Sequence, residues 1–80
     1  VLITHSPPFC IGDFVPWSTS HEGSQSLYSE VVERIKPRLH CFGHIHEGYG
    51  QWEIDDIKFV NASSLDGDYM AVNDPVIVEI

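Results

Sequence analysis

Cys41-Phe42-Gly43-His44-Ile45-His46-Glu47-Gly48-Tyr49-Gly50 is the stretch on which the fold turns. A largely apolar run, Leu39 to Phe42, stops at Gly43, and two histidines with one residue between them follow. The run has the length and character of a buried strand. Two imidazoles just past its end can be aimed at one place, and neutral imidazole is the commonest metal ligand among side chains. Glycine before the pair lets the backbone turn sharply or come close to something bound. A second apolar run, Val1 to Thr4, also ends in a histidine, His5.

Between the two runs lies a pattern that links them. Ser6-Pro7-Pro8 ends the first, because proline donates nothing to a ladder. Phe9 to Gly23 reads as a long irregular stretch, and loops of this length are often lids or binding loops. Ser24 to Ile35 reads as a helix: Ser24 or Ser26 can cap it, Leu27, Val31, Val32 and Ile35 recur at amphipathic spacing, and Pro37 stops it. Strand, helix, strand is a βαβ unit with parallel strands. The first strand, β-branched and apolar, is expected to be central and covered on both faces. His5 and the His44–His46 pair then emerge at one edge of the sheet, the carboxyl edge where open α/β sheets bind ligands. Beyond the motif, Gln51 to Ile54 and Ile57 to Asn61 alternate as a β-hairpin around Asp55-Asp56, a poorer turn than Asp-Gly. Ala62 to Asp74 is loop-like, and Pro75 introduces an expected last strand, Val76 to Ile80.

Eighty residues make one domain at most. Val1-Leu2-Ile3 already reads as a buried strand, and domains seldom open inside their core. The expectation is therefore that residues 1–80 are the C-terminal part of a single larger domain. A formal charge of -8, with four basic residues, argues against a nucleic-acid surface. Three of those four, Arg34, Lys36 and Arg38, suit a solvated helix end, where cations complement the dipole. Cys10 and Cys41 are too few for a disulfide framework, and no run is long enough to span a membrane, so an intracellular, cytoplasmic setting is expected.

Taken together, Thr4-His5-Ser6-Pro7-Pro8, the run from Leu39 to Gly50, and Asn61-Ala62-Ser63 resemble the calcineurin-like metallophosphoesterases, and within them the metallophosphoesterase-domain-containing subgroup. The resemblance runs nearly end to end. It implies an α/β fold, the C-terminal portion of a β-sandwich flanked by helices, with two divalent metal ions (Mn, Fe or Zn) at the carboxyl ends of strands. Residue by residue it implies that His5 and His44 bind the second metal and His46 the first. The family's earlier motifs, Asp-x-His, Gly-Asp and Gly-Asn-His followed by an acid, have no counterpart here; Gly12-Asp13 lies after His5 rather than before it. The acid/base histidine of the family lies in those motifs, so the resemblance assigns no catalytic residue to this chain and implies that it is inactive alone.

The chemistry suits the residues. Two divalent ions ~3.5–4 Å apart clamp a phosphoryl group, neutralise its charge and bring the pKa of a water near neutrality. The implied activity is hydrolysis of phosphate esters, chiefly phosphodiesters, through a metal-activated water. The implied partner is a small phosphate ester or cyclic nucleotide. The competing reading is a non-catalytic metal-binding scaffold or interaction protein that keeps the fold. Around the three histidines, Glu47 either orients a metal-bound imidazole or is a solvated carboxylate. Tyr49 lines a pocket or packs, Asn61 approaches the site or turns a strand into a loop, and His21 is a candidate substrate contact. His40 reads as structural, and Phe14 and Trp17 as packing residues.

Overall fold

The computed structural model describes residues 1–80. Two sheets and one helix form a mixed α/β domain. The main sheet contains β1 (Leu2–Ile3), β4 (Leu39–Phe42), β5 (Gly50–Ile54) and β6 (Ile57–Asn61), in the order β1-β4-β6-β5. β1 runs parallel to β4 with Leu2 opposite His40, and β4 runs parallel to β6 with Phe42 opposite Asn61. The β5–β6 hairpin is the expected one and extends this sheet rather than starting another. Asp55 and Asp56 both take positive φ, 50° and 65°, as a two-residue turn matched to strand twist requires, although neither is glycine.

Helix α1 (Gln25–Ser29) starts where the sequence suggests. The Ser24 hydroxyl accepts from the Leu27 N–H at 3.1 Å. From Glu30 to Ile35 the helix widens into π geometry. Lys36, before Pro37, takes a left-handed φ of 49°, and its N–H reaches back five residues to the Val31 carbonyl. The widened turn leaves Ile35 40% exposed, so it is not a core residue as its spacing suggests. The core proper is Ile11, Val31, Phe42, Ile57 and Phe59, with Leu2, Leu27, Tyr28, Val32 and Ile54 packed against it.

Three expectations are corrected. β1 is a two-residue edge strand, not a central one: nothing covers the face to which Ile3 points, and Ile3 is 76% exposed. The stretch from Phe9 to Gly23 is not irregular throughout. It contains a small antiparallel pair, β2 (Phe14–Val15) and β3 (Ser20–His21). Its organiser is Asp13, fully buried, whose Oδ2 accepts from the N–H groups of Cys10 and Gly23. Finally, residues 76–80 form no strand. β6 is already paired on both sides, by β4 and β5, and the tail lies beside the hairpin through Ile77, Val78 and Glu79 without a ladder. No helix is long and apolar enough to cross a membrane.

His40 is structural, as expected, and has a measurable consequence. It is fully buried between Phe42 and Phe59. The Thr4 hydroxyl gives its proton to the Ser6 carbonyl, so its oxygen accepts from His40 Nε2–H at 2.9 Å. Nδ1 is then a bare lone pair without a partner. Burial holds the pKa down at about 4, against an ordinary 6.5. As pH falls below 6.5 the unfolded chain takes up a proton that the folded one refuses. Stability is therefore intact above that pH and drains away as pH falls towards 4, by about 3 kcal/mol in all. Urea midpoints between pH 7 and 4 should show this slope, and a His40→Phe variant should lose it.

Candidate metal centre

Parallel pairing of β1 and β4 sets the first two histidines side by side. The ladder continues past both strands: Thr4 N–H donates to the Cys41 carbonyl and Gly43 N–H to the His5 carbonyl, each at 3.0 Å. The rings of His5 and His44 lie 4.8 Å apart between centroids, tilted by 51°. Both side chains are exposed, so the cost of desolvating them is small.

The backbone at His44 is strained. Its φ is 68°, and the Ile45 N–H reaches the Gly43 carbonyl at 2.7 Å, closing a three-residue turn on His44. Turns of this kind are rare for a residue with a β-carbon, and strain of this order, ~1–3 kcal/mol, gathers at functional sites. Sequence reasoning gives the turning role to Gly43, but Gly43 has no positive φ and its missing side chain would meet only Ser63 Oγ at 3.4 Å. His44 makes the turn instead.

His46 opens a single 3₁₀ turn, His46–Gly48. Its Nδ1 lies 3.3 Å from the Asp66 carbonyl oxygen. A carbonyl only accepts, so Nδ1 carries the proton and Nε2 keeps its lone pair for something outside. The Tyr69 ring stands edge-on to this imidazole at 5.3 Å. The role suggested for Glu47, orienting a histidine, thus falls to Asp66, while the Glu47 carboxylate lies beside Gly67. No sequence pattern singles out a backbone carbonyl twenty residues away. His44, His46, Glu47, Trp17 and Tyr69 line one cleft of about 570 Å³.

Asn61 is a clamp rather than a free polar group. It is fully buried at the end of β6, and its amide donates to the Gly12 carbonyl at 2.9 Å and the Ile45 carbonyl at 2.8 Å. Its Oδ1 accepts from the Ser63 N–H and hydroxyl. Every hydrogen-bonding position is occupied, so it ties the histidine turn to the Gly12 loop and has nothing left for a substrate. The Tyr49 hydroxyl donates to the Asp74 carbonyl at 2.7 Å. His21 lines a different cleft from His44 and His46, with Nδ1 2.6 Å from Asp13 Oδ1. Asp13 is the functional residue that sequence reasoning misses, because nothing in a Gly-Asp pair marks its carboxylate as the buried support of a histidine eight residues on.

The structure brings His5 and His44 together, and His44 and His46 both line the adjoining cleft. No group of three His, Cys, Asp or Glu side chains converges on one point. Two neighbouring neutral imidazoles fit as a pair of nitrogen donors to one Mn, Fe or Zn ion.

No family model matches the sequence. Metallophosphoesterase domain-containing protein 1 of human, and that of mouse, is 42% identical to it over 80 residues, the whole of this chain. The chain is a relative of the metallophosphoesterase domain-containing proteins. It spans about a quarter, 24%, of the length of these two curated relatives. A UPF0046 protein of Caenorhabditis elegans is 36% identical over 83 residues, and the chain covers 30% of it. The mixed sheet with one helix is consistent with a C-terminal portion of a metallophosphoesterase fold.

Proposed function

We propose that this chain is the C-terminal part of a single metallophosphoesterase domain and contributes the histidine side of a dinuclear centre that hydrolyses phosphate esters, chiefly phosphodiesters. The observation that carries this reading is the pairing of His5 and His44 from two parallel strand ends, with their rings 4.8 Å apart. His5 and His44 hold one divalent ion, and His46, with its Nε2 lone pair available, serves the other. The ions, when bound, neutralise phosphate charge and lower the pKa of a water. The protein's own part is positional. The turn at His44 holds its ring beside His5, the Asp66 carbonyl fixes the His46 tautomer, and Trp17 and Tyr69 wall the cleft that receives a small phosphate ester or cyclic nucleotide.

The test is hydrolysis of bis(p-nitrophenyl) phosphate by the full-length protein with added Mn²⁺. His44→Ala and His46→Ala should each lower the metal-stimulated rate by at least about a hundredfold, since losing even a residue that only supports a metal ligand costs about ten- to a hundredfold. An unchanged rate in either variant would refute its assignment. A second reading is a non-catalytic scaffold in which the histidines hold one structural ion or none. Metal content of the full-length protein separates the two: two ions support the enzyme, zero or one the scaffold.

A further inference from the structure

The cleft on the other side of Glu47 is built differently from the one beside the histidines. Its volume is about 280 Å³, at the small end for ligand sites. Phe14, Tyr49 and Trp52 supply three aromatic walls, and His21 and Glu47 supply polar groups. Trp52 is set closely over the Gly12 backbone: a β-carbon at Gly12 would stand 2.8 Å from its ring.

His21 is held by a residue with no freedom to move. Asp13 is fully buried and accepts from two backbone N–H groups besides His21 Nδ1. In the neutral imidazole the proton sits on Nδ1, against the carboxylate, and Nε2 is an acceptor with no partner in the protein. The ring is also pinned between Phe9 and Phe14, 5.8 and 5.4 Å away between centroids. The Tyr49 hydroxyl spends its proton on the Asp74 carbonyl, leaving only lone pairs. Glu47 is a carboxylate. Among the polar groups around this cleft only the Cys10 thiol and the Trp52 indole N–H donate; His21, Glu47 and Tyr49 accept, and no lysine or arginine lines it.

We propose that this cleft is a binding site for a small organic ammonium group. An ammonium brings three donors and no acceptor, which complements the imidazole Nε2, the carboxylate and the phenol oxygen. The aromatic faces add cation–π attraction, strongest at tryptophan. An anion would meet a carboxylate and no cation.

The experiment uses chelator-treated full-length protein, so that its result is independent of the metal centre. Binding of 2-phenylethylamine, 2-phenylethanol and phenylacetate is followed by calorimetry. The amine should bind saturably in the millimolar range or tighter, with the alcohol and the carboxylate each at least about tenfold weaker. His21→Phe keeps a ring between Phe9 and Phe14 but removes the acceptor, and should weaken the amine about tenfold, whereas His21→Gln, which restores an acceptor oxygen, should recover part of the loss. Absence of saturable amine binding, equal binding of amine and alcohol, tighter binding of the carboxylate, or an unchanged amine affinity in His21→Phe would each overturn the proposal. The comparison of the three probes on the unaltered protein decides the matter even if a variant fails to fold.

Discussion

Gly48→Ala should be among the most damaging single substitutions in the chain, although residue 48 has no side chain to offer a ligand. A β-carbon there would lie 2.0 Å from the Gly12 carbonyl oxygen and 2.9 Å from Asn61 Nδ2. The first obstacle is backbone, so no rotamer change relieves it. One of the two loops must move, and both are held by the same asparagine. The expected loss is about 3–5 kcal/mol, at the upper end for a single substitution, read as a fall in the urea midpoint of the full-length protein. Two glycines provide the contrast. At Gly67 the nearest obstacle is the mobile end of Glu47, and at Gly43 the nearest atom is at an ordinary 3.4 Å. Both alanine variants should lie within about 1 kcal/mol of the parent. If Gly43→Ala proved the worst of the three, the account of the turn at His44 would be wrong.

Asn61→Ala should be comparably severe by a different route. It leaves the Gly12 and Ile45 carbonyls without their donor and Ser63 without its acceptor, all at a fully buried position. Each buried group left unsatisfied costs about 1–3 kcal/mol, and relaxation or entering water recovers part of it, so a net loss of about 3–4 kcal/mol is expected. Asn61→Asp sharpens the test. It keeps the acceptor but sets a carboxylate against two carbonyl oxygens, so it should be at least as destabilising as alanine. Amide hydrogen exchange should rise at Ser63, whose N–H donates to Asn61 Oδ1, and at Ile45, whose N–H closes the turn that Asn61 secures. A mild effect of Asn61→Asp would return Asn61 to the role of a polar group facing the site.

Local chemistry was legible in the sequence, and long-range support was not. The parallel pairing of the two histidine-bearing strands, the Ser24 cap and the β5–β6 hairpin follow from short-range patterns of polarity, capping and turn residues. The coverage of β1 does not, because an apolar β-branched run looks the same whether a second layer lies over it or not. Val76 to Ile80 has strand character too, but β propensity is realised only where an open edge in register exists. At the site, the meeting of His5 and His44 was foreseeable from topology. The Asp66 carbonyl behind His46, the saturation of Asn61 and the Asp13–His21 pair depend on contacts eight to forty-nine residues apart, for which the sequence carries no periodic signal.

The uncovered flank of β1 has a practical outcome for anyone handling the eighty residues by themselves. Unsatisfied amide and carbonyl groups run along that margin, with bare isoleucine and valine beside them. Such a border gives a neighbouring molecule a place to add its own strand, and the bare apolar side chains beside it add hydrophobic attraction. Preparations of the isolated peptide should therefore drift towards oligomers, and charged residues substituted for Val1 and Ile3 are the simplest way to hold them apart.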